Sequence, residues 1–290
     1  MPTMIRKILL LSLALVLALA LLGCGEKEET LTPVQIDQIV IDAANALAEA
    51  ETYAFDMDAS ETIDVIGGTE PGTMSLAADA TGVIDNANKE MQLGMNMTMN
   101  VPEEDQQQMG MEIYIVDEWV YVRMSIPEVG EEWMKMELTP EMWGLWEQVD
   151  QQVELLETAT EVKFVGSEAV NGIQCYVFDI MPDMEQLAEY LAQQQVMLGM
   201  GLTEMENLEE LLDKTSLSIE EWIAKDSSLL MKAQANMRVE VTPDDVGATP
   251  EDFDKMTMDL SMDMTVYDYN QPVSIELPPE ALEAPAIPVM

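Results

Sequence analysis

Through most of the chain, apolar and polar residues alternate with a period of two, and in three stretches the period becomes that of a helix. The first stretch begins at Thr32-Pro33, where threonine suits an N-cap and proline the first helical position. Ile36, Ile39, Val40, Ala43, Ala44 and Leu47 then recur at three- and four-residue spacing, which predicts an amphipathic helix from residue 33 to about residue 50. From there Phe55, Met57, Ala59, Ile63 and Val65 point one way, and Asp56, Asp58, Ser60, Thr62 and Asp64 the other. Gly67-Gly68 and Pro71-Gly72 mark a loop. Met74, Leu76, Ala78, Ala80 and Ile84 resume the alternation, and residues 85–90 turn.

The same rule predicts strands at 91–100, 109–116, 119–126 and 132–138, with Asp117-Glu118 as a hairpin tip. Residues 140–157 return to helical spacing, with Met142, Leu145, Trp146, Val149 and Val153 on one side. Strands at 161–166 and 173–181 flank Asn171-Gly172, a strong hairpin signal. Residues 183–214 are helical in pattern, interrupted by Gly199 and Gly201. Strands follow at 216–224, 228–241 and 254–268, and "QPVSIELPPEALEAPAIPV" (271–289) reads as a short strand with a proline-rich tail. Helices grouped against a meandering antiparallel sheet define an α+β fold.

The chain holds 26 methionines, and they follow the period of two. Met91, Leu93, Met95, Met97 and Met99 alternate with polar residues or glycine, and Met109 and Met111 continue in register into Ile113 and Ile115. Met256, Met258, Met262 and Met264 share parity with Leu260 and Val266. A Cu(I) site needs a few soft donors converging on one point. Alternate residues on a strand lie about 7 Å apart on one line, and leucines in the same row donate nothing. The spacing therefore describes an apolar face. That face can be an ordinary core or the wall of a compliant cavity, since methionine is flexible and over-used on surfaces that accept varied apolar ligands.

Charge narrows the partners. Acidic residues number 56 against 12 basic ones, for a net charge of −44. Such a surface repels phosphate backbones and anionic headgroups, so nucleic acid is excluded as a partner. The chain has no histidine, which removes Ser–His–Asp and Cys–His catalysis and the usual general base near neutral pH. No nucleophile elbow, P-loop or dinucleotide fingerprint is present. No catalytic residue, metal site or cofactor is expected. Cys175 lies in an apolar run and reads as a small buried hydrophobe.

At the start, Arg6 and Lys7 precede an uncharged apolar run from Ile8 to Leu22, about 15 residues where about 20 are needed to span a bilayer as a helix. This is the form of a secretory signal. It ends in Leu21-Leu22-Gly23-Cys24, which resembles a bacterial lipobox and implies cleavage before Cys24 and a lipid on its thiol. The resulting division is a lipoprotein signal peptide (1–23), a lipidated cysteine with its tether (24–32) and a single domain (33–290). The protein would be secreted and held by Cys24 on the outer face of the cell membrane.

The assembled pattern resembles the bacterial lipoprotein-carrier superfamily, that is, LolA-like proteins and the related LppX/LprG-type lipoproteins. The resemblance rests on the lipobox, "GVIDNANKEMQ" (82–92), "EIYIVDEWVYVRM" (112–124) with "EEWMKM" (131–136), "GIQCYVFDI" (172–180) and "LSIEEWIAKDSSLLMK" (217–232). It implies a strongly curved antiparallel sheet, an incomplete barrel with helices covering its concave side and an apolar cavity between. It carries over no ligand residue. The candidate wall is Met91, Leu93, Met95, Met97 and Met99, with Met111 and Ile113, and Met258, Leu260, Met262 and Met264 from the late strand. Trp143 and Trp146 either cover the mouth or hold helix to sheet. The expected role is non-enzymatic binding of an acyl chain or other lipid, as carrier or chaperone. The alternatives are an envelope sensor that engages a protein partner and a methionine-based Cu(I)-binding protein.

Overall fold

The computed structural model describes residues 30–69, 71–102, 105–126, 130–139, 143, 159–184, 214–246, 248–249 and 251–287. The chain divides into two compact units, Met1–Leu31 and Thr32–Met290. The architecture below is that of the second.

Helix α1 (Pro33–Ala48) starts as the sequence predicts. The Thr32 side chain accepts from the Gln35 backbone N–H, and the Gln35 side chain accepts from the Thr32 N–H at 3.0 Å. This reciprocal pair satisfies two donors that the helix itself leaves open. Val40, Ala43 and Leu47 form its buried stripe.

Eleven strands among the described residues make one antiparallel sheet. In chain order they are β1 (Thr52–Ile66), β2 (Gly72–Asp85), β3 (Glu90–Asn100), β4 (Gln107–Val116), β5 (Trp119–Ile126) and β6 (Gly130–Glu137). After these come β7 (Glu161–Val170), β8 (Ile173–Met181), β9 (Thr215–Ala224), β10 (Leu230–Val241) and β11 (Lys255–Tyr267). Their order across the sheet is β6-β5-β4-β3-β2-β1-β11-β10-β9-β8-β7. Two meanders, β1–β6 and β7–β11, are thus sewn together by their first and last strands. That seam runs in unbroken register from Ala54 opposite Tyr267 to Ile66 opposite Lys255. The sheet does not close, and β6 and β7 are its edges.

The hairpin tips sit where sequence places them. Asp117 and Glu118 have φ of 52° and 64°, and Asn171 and Gly172 have 50° and 84°. Both pairs adopt the left-handed conformation that a two-residue turn needs to match strand twist. Gly82 is required for a different reason: a Cβ there would lie 2.4 Å from the Phe55 ring, which occupies the space above β2.

Three clusters pack on the two faces. The largest joins Tyr53, Ile84, Met91, Leu93, Ile113 and Ile115 with Ala50 and Trp143. A second lies on the opposite face at the other end of the sheet, where Cys175, Val177, Trp222, Ala224 and Met231 meet. Trp222 donates from Nε1 to Glu168 at 2.9 Å, and Lys232 Nζ stands 4.9 Å from its ring centre. Cys175 is buried and free, as expected of a small hydrophobe.

The C-terminal segment departs from expectation. Residues 271–278 form no strand, α2 is a single turn (Pro279–Leu282), and only Ala286 pairs, in parallel, with Lys135 of β6. Prolines at 272, 278, 279 and 285 remove the donors a ladder needs. The segment instead crosses the polar face, laying Ile275, Leu277 and Ala281 on Tyr114, Tyr121 and Trp133. Lys135 N–H donates to Pro285 O at 3.1 Å and Ile287 N–H to Lys135 O at 2.8 Å, which covers part of the β6 edge. The helices expected over 140–157 and 183–214 lie outside the described residues, apart from Trp143, Asp183, Met184 and Lys214.

Candidate functional site

Residues directly opposite one another in an antiparallel sheet share a face, so register converts the period of two into rows that cross the strands. One row runs Met111, Met95, Ala80, Met57, Met264, Ala233, ending in Glu221 and Phe178. The next runs Met109, Met97, Ala78, Ala59, Met262, Ala235, ending in Ile219 and Ile180. In a third, Met99, Leu76, Glu61 and Leu260 stand in line. Met258 lies opposite Ile63 one row further on. All the candidate wall residues therefore occupy one face.

Burial divides them. Met91, Leu93 and Ile113 are inside the main core. Met95, Met111 and Met264 pack against that core but keep partial exposure. Met97, Met99, Met258, Leu260 and Met262 are only partly buried and stand outside the named clusters. Around them the same face is closed again: Phe178, Ile180, Val239 and Val241 are all buried. The result is a half-exposed patch in which these thioethers stand with Ile63, Met74, Leu76, Ile219 and Met237, all partly buried, bounded by buried residues toward the main core and toward Phe178, Ile180, Val239 and Val241. Alanines at 59, 78, 80, 233 and 235 alternate with the methionines and lower the floor between them.

Register also pairs Met95 with Met111 and Met97 with Met109. Four thioethers lie side by side, closer than the spacing along a single strand suggests. Met124 continues the row beside Met111, while Ala80 and Ala78 follow Met95 and Met97 on the other side and offer no donor. Among the described residues, no three carboxylate, cysteine or histidine side chains gather to hold a metal ion. Trp143 is 3% exposed and belongs to the main core, so it holds core rather than covers a mouth. Trp146 and Cys24 lie outside the described residues.

The opposite face is polar and grooved. One groove, about 760 Å³, is lined by Gly94 and Gly110, with Asp79, Asn96 and Gln108 beside them. Asn96 donates to Asp79 at 2.9 Å, and Arg123 bridges Glu112 and Glu131. Two smaller grooves, about 370 and 280 Å³, continue on this face past Ser60 toward Ser218 and Asp263. Lys232 pairs with Asp263 at 3.0 Å and Arg238 with Asp259 at 2.8 Å. These are half-exposed pairs of small individual worth. They spread the few cations among many carboxylates.

One functional candidate escaped the sequence reading. Glu221 is 5% exposed, faces the apolar side between Ala233 and Phe178, and makes no hydrogen bond or ion pair with the described residues, its small remaining exposure lying at the carboxylate oxygens. Burial pushes its carboxyl up to about 7, because an apolar surrounding disfavours the charged form. The signal was available. In Leu217, Ile219, Glu221, Ile223 the charge occupies a position that alternation reserves for apolar side chains.

Comparison with known proteins places the chain among families rather than functions. The profile described as "Family of unknown function (DUF6612)" matches residues 35–286. No curated protein matches. Among solved structures, LprF from Mycobacterium bovis is similar at 14% identity and a TM-score of 0.43, over 86% of this chain and 99% of that one. The lipoprotein LppX from Mycobacterium tuberculosis is similar at 12% identity and a TM-score of 0.41, over 84% and 100%. A DUF1329 family protein from Desulfovibrio piger reaches 11% identity and a TM-score of 0.25, over 83% and 95%.

Proposed function

Because the chain belongs to the DUF6612 family of unknown function, we propose its role from its own sheet: a lipid-anchored extracytoplasmic protein that holds an apolar ligand against the methionine patch. The observation that supports this reading is the partial exposure of Met97, Met99, Leu260 and Met262, together with their neighbours Ile63, Leu76 and Met237, on the apolar face beside the buried core. A finished core would bury them, since interiors are packed to the density of organic crystals. Open solvent would not be lined by so many apolar side chains on so acidic a protein. An apolar ligand that covers the patch removes the conflict. Methionine suits the task because its unbranched chain adapts to ligands of different shape at little cost.

In this reading Cys24 carries the acyl groups, and each buried CH₂ contributes about 0.8 kcal/mol to membrane attachment. No described helix is long and apolar enough to cross a membrane. No chemistry is assigned to the protein. It binds and releases.

A three-way comparison tests the site. Wild type should bind a neutral apolar fluorescent probe. Met97→Asp should lose that binding, because the new carboxylate has no partner on this face. Thr98→Asp, on the polar side of the same strand, should keep both fold and binding. If wild type binds no apolar probe, the reading fails.

A further inference from the structure

Glu221 stands at one end of the row that crosses the methionine patch. From β9 the row passes over β10, β11, β1 and β2 to Met95 on β3. At about 4.8 Å per strand those five steps cover about 24 Å of sheet surface. Ala233 and Ala80 lie within the row and keep it low, while Met264, Met57 and Met95 line it. The ground beside Glu221 is mainly apolar: Phe178 and Ala233 flank it, Ile219 and Ile223 precede and follow it on the same face of β9, and Ile180 and Tyr176 lie diagonal to it. Just past the end of β9, Lys225 Nζ stands 4.6 Å from the ring centre of Tyr176, which lies opposite Ile223 in the next row.

We propose that Glu221 is the head-group anchor of the ligand site, and that the preferred ligand is a single long alkyl chain ending in a primary ammonium. This rests on the reading of the methionine patch as a ligand wall. The argument is one of charge complementarity. An ionised carboxylate buried without a partner is among the costliest groups a protein interior can hold. Gln or Leu would fill the space without that cost. A cationic head laid beside it forms a charge-assisted hydrogen bond where the low dielectric strengthens it. A net charge of −44 favours approach of a cation and opposes that of a fatty-acid anion. A neutral alcohol of the same length makes the same apolar contacts with no charge to offset. The row length matches the extended chain of such an amphiphile, with its head at β9 and its tail toward β3.

The test is displacement of a neutral apolar dye from the purified full chain at pH 8 by hexadecylamine, hexadecanol and hexadecanoic acid. In wild type the amine should displace the dye at least tenfold more tightly than the alcohol, and the acid should be weakest. Glu221→Gln should bring the amine to within about threefold of the alcohol while leaving the alcohol itself unchanged. Glu220→Gln, next to it in sequence but on the opposite face, should keep the amine preference. Equal binding of amine and alcohol by wild type, or a preference that survives Glu221→Gln, overturns the proposal and leaves the apolar site standing. If no amphiphile displaces the dye, the ligand site falls and this anchor with it. Should Glu221→Gln fold poorly by circular dichroism, Glu221→Leu and the wild-type amine-to-alcohol ratio decide.

Discussion

Replacing Glu221 by glutamine should make the protein more stable at high pH and leave it nearly unchanged at low pH. In the unfolded chain this carboxyl ionises near its ordinary value of 4.5, whereas in the folded protein burial holds it up to about 7. Below 4.5 both states carry the proton and the group contributes no difference. As pH rises from 4.5 to 7 the unfolded chain releases its proton and the folded one does not, so stability falls. Above 7 the full penalty is present. A displacement of about 2.5 units at 1.36 kcal/mol per unit gives a penalty of about 3 kcal/mol. Side-chain polarity and shape are nearly matched by glutamine, so the difference between variant and wild type isolates the charge. The rest of the acidic surface titrates equally in both. Urea unfolding at pH 4.5, 6 and 8 should show Glu221→Gln gaining on wild type with pH, by about 3 kcal/mol between the extremes. A difference that stays flat across this range would refute the burial argument, because it would mean that Glu221 meets water or a cation in the folded protein.

Other consequences follow from single residues. Gly68 has φ of 74°, and a Cβ there would lie 1.9 Å from the Asp252 carbonyl oxygen. Gly68→Ala should therefore cost about 1–3 kcal/mol in the same unfolding assay, and a neutral result would disprove the close approach of the two loops. Cys24→Ala should abolish metabolic labelling with palmitate and release the protein from the membrane fraction, and unchanged labelling would remove the lipid anchor. Titration with Cu(I) against a competing chelator should show no tight stoichiometric site, and a complex lost on Met95→Leu/Met97→Leu exchange would reverse the reading of the methionine pairs.

What the sequence made legible was whatever is local. Strict alternation placed β5 at residues 119–126 and put every candidate wall residue on one face, because a period of two leaves no other choice once register is set. Positive φ at Asp117, Glu118 and Asn171 followed from turn chemistry. The pairing of β1 with β11 was not legible, since nothing in either strand names a partner about 200 residues away in sequence. Nor was the second core. Both parities of β8 are apolar, with Cys175 and Val177 on one face and Phe178 and Ile180 on the other. Such a run means that both faces are covered, but not by what. The C-terminal segment misled for a related reason: Val273, Ile275 and Leu277 alternate as a strand would. They do so to reach Tyr114, Tyr121 and Trp133 rather than to join a ladder.

The central claim is that the methionine patch holds an apolar ligand, and native mass spectrometry of protein extracted from membranes tests it most directly. The account predicts a bound species beyond the acyl groups on Cys24, present at one per chain. It should be lost from Met97→Asp, retained by Thr98→Asp, and of a mass that extraction identifies as a long-chain amphiphile. A wild-type spectrum at the mass of the acylated chain alone, with the patch free and no ligand taken up on adding hexadecylamine, would contradict it.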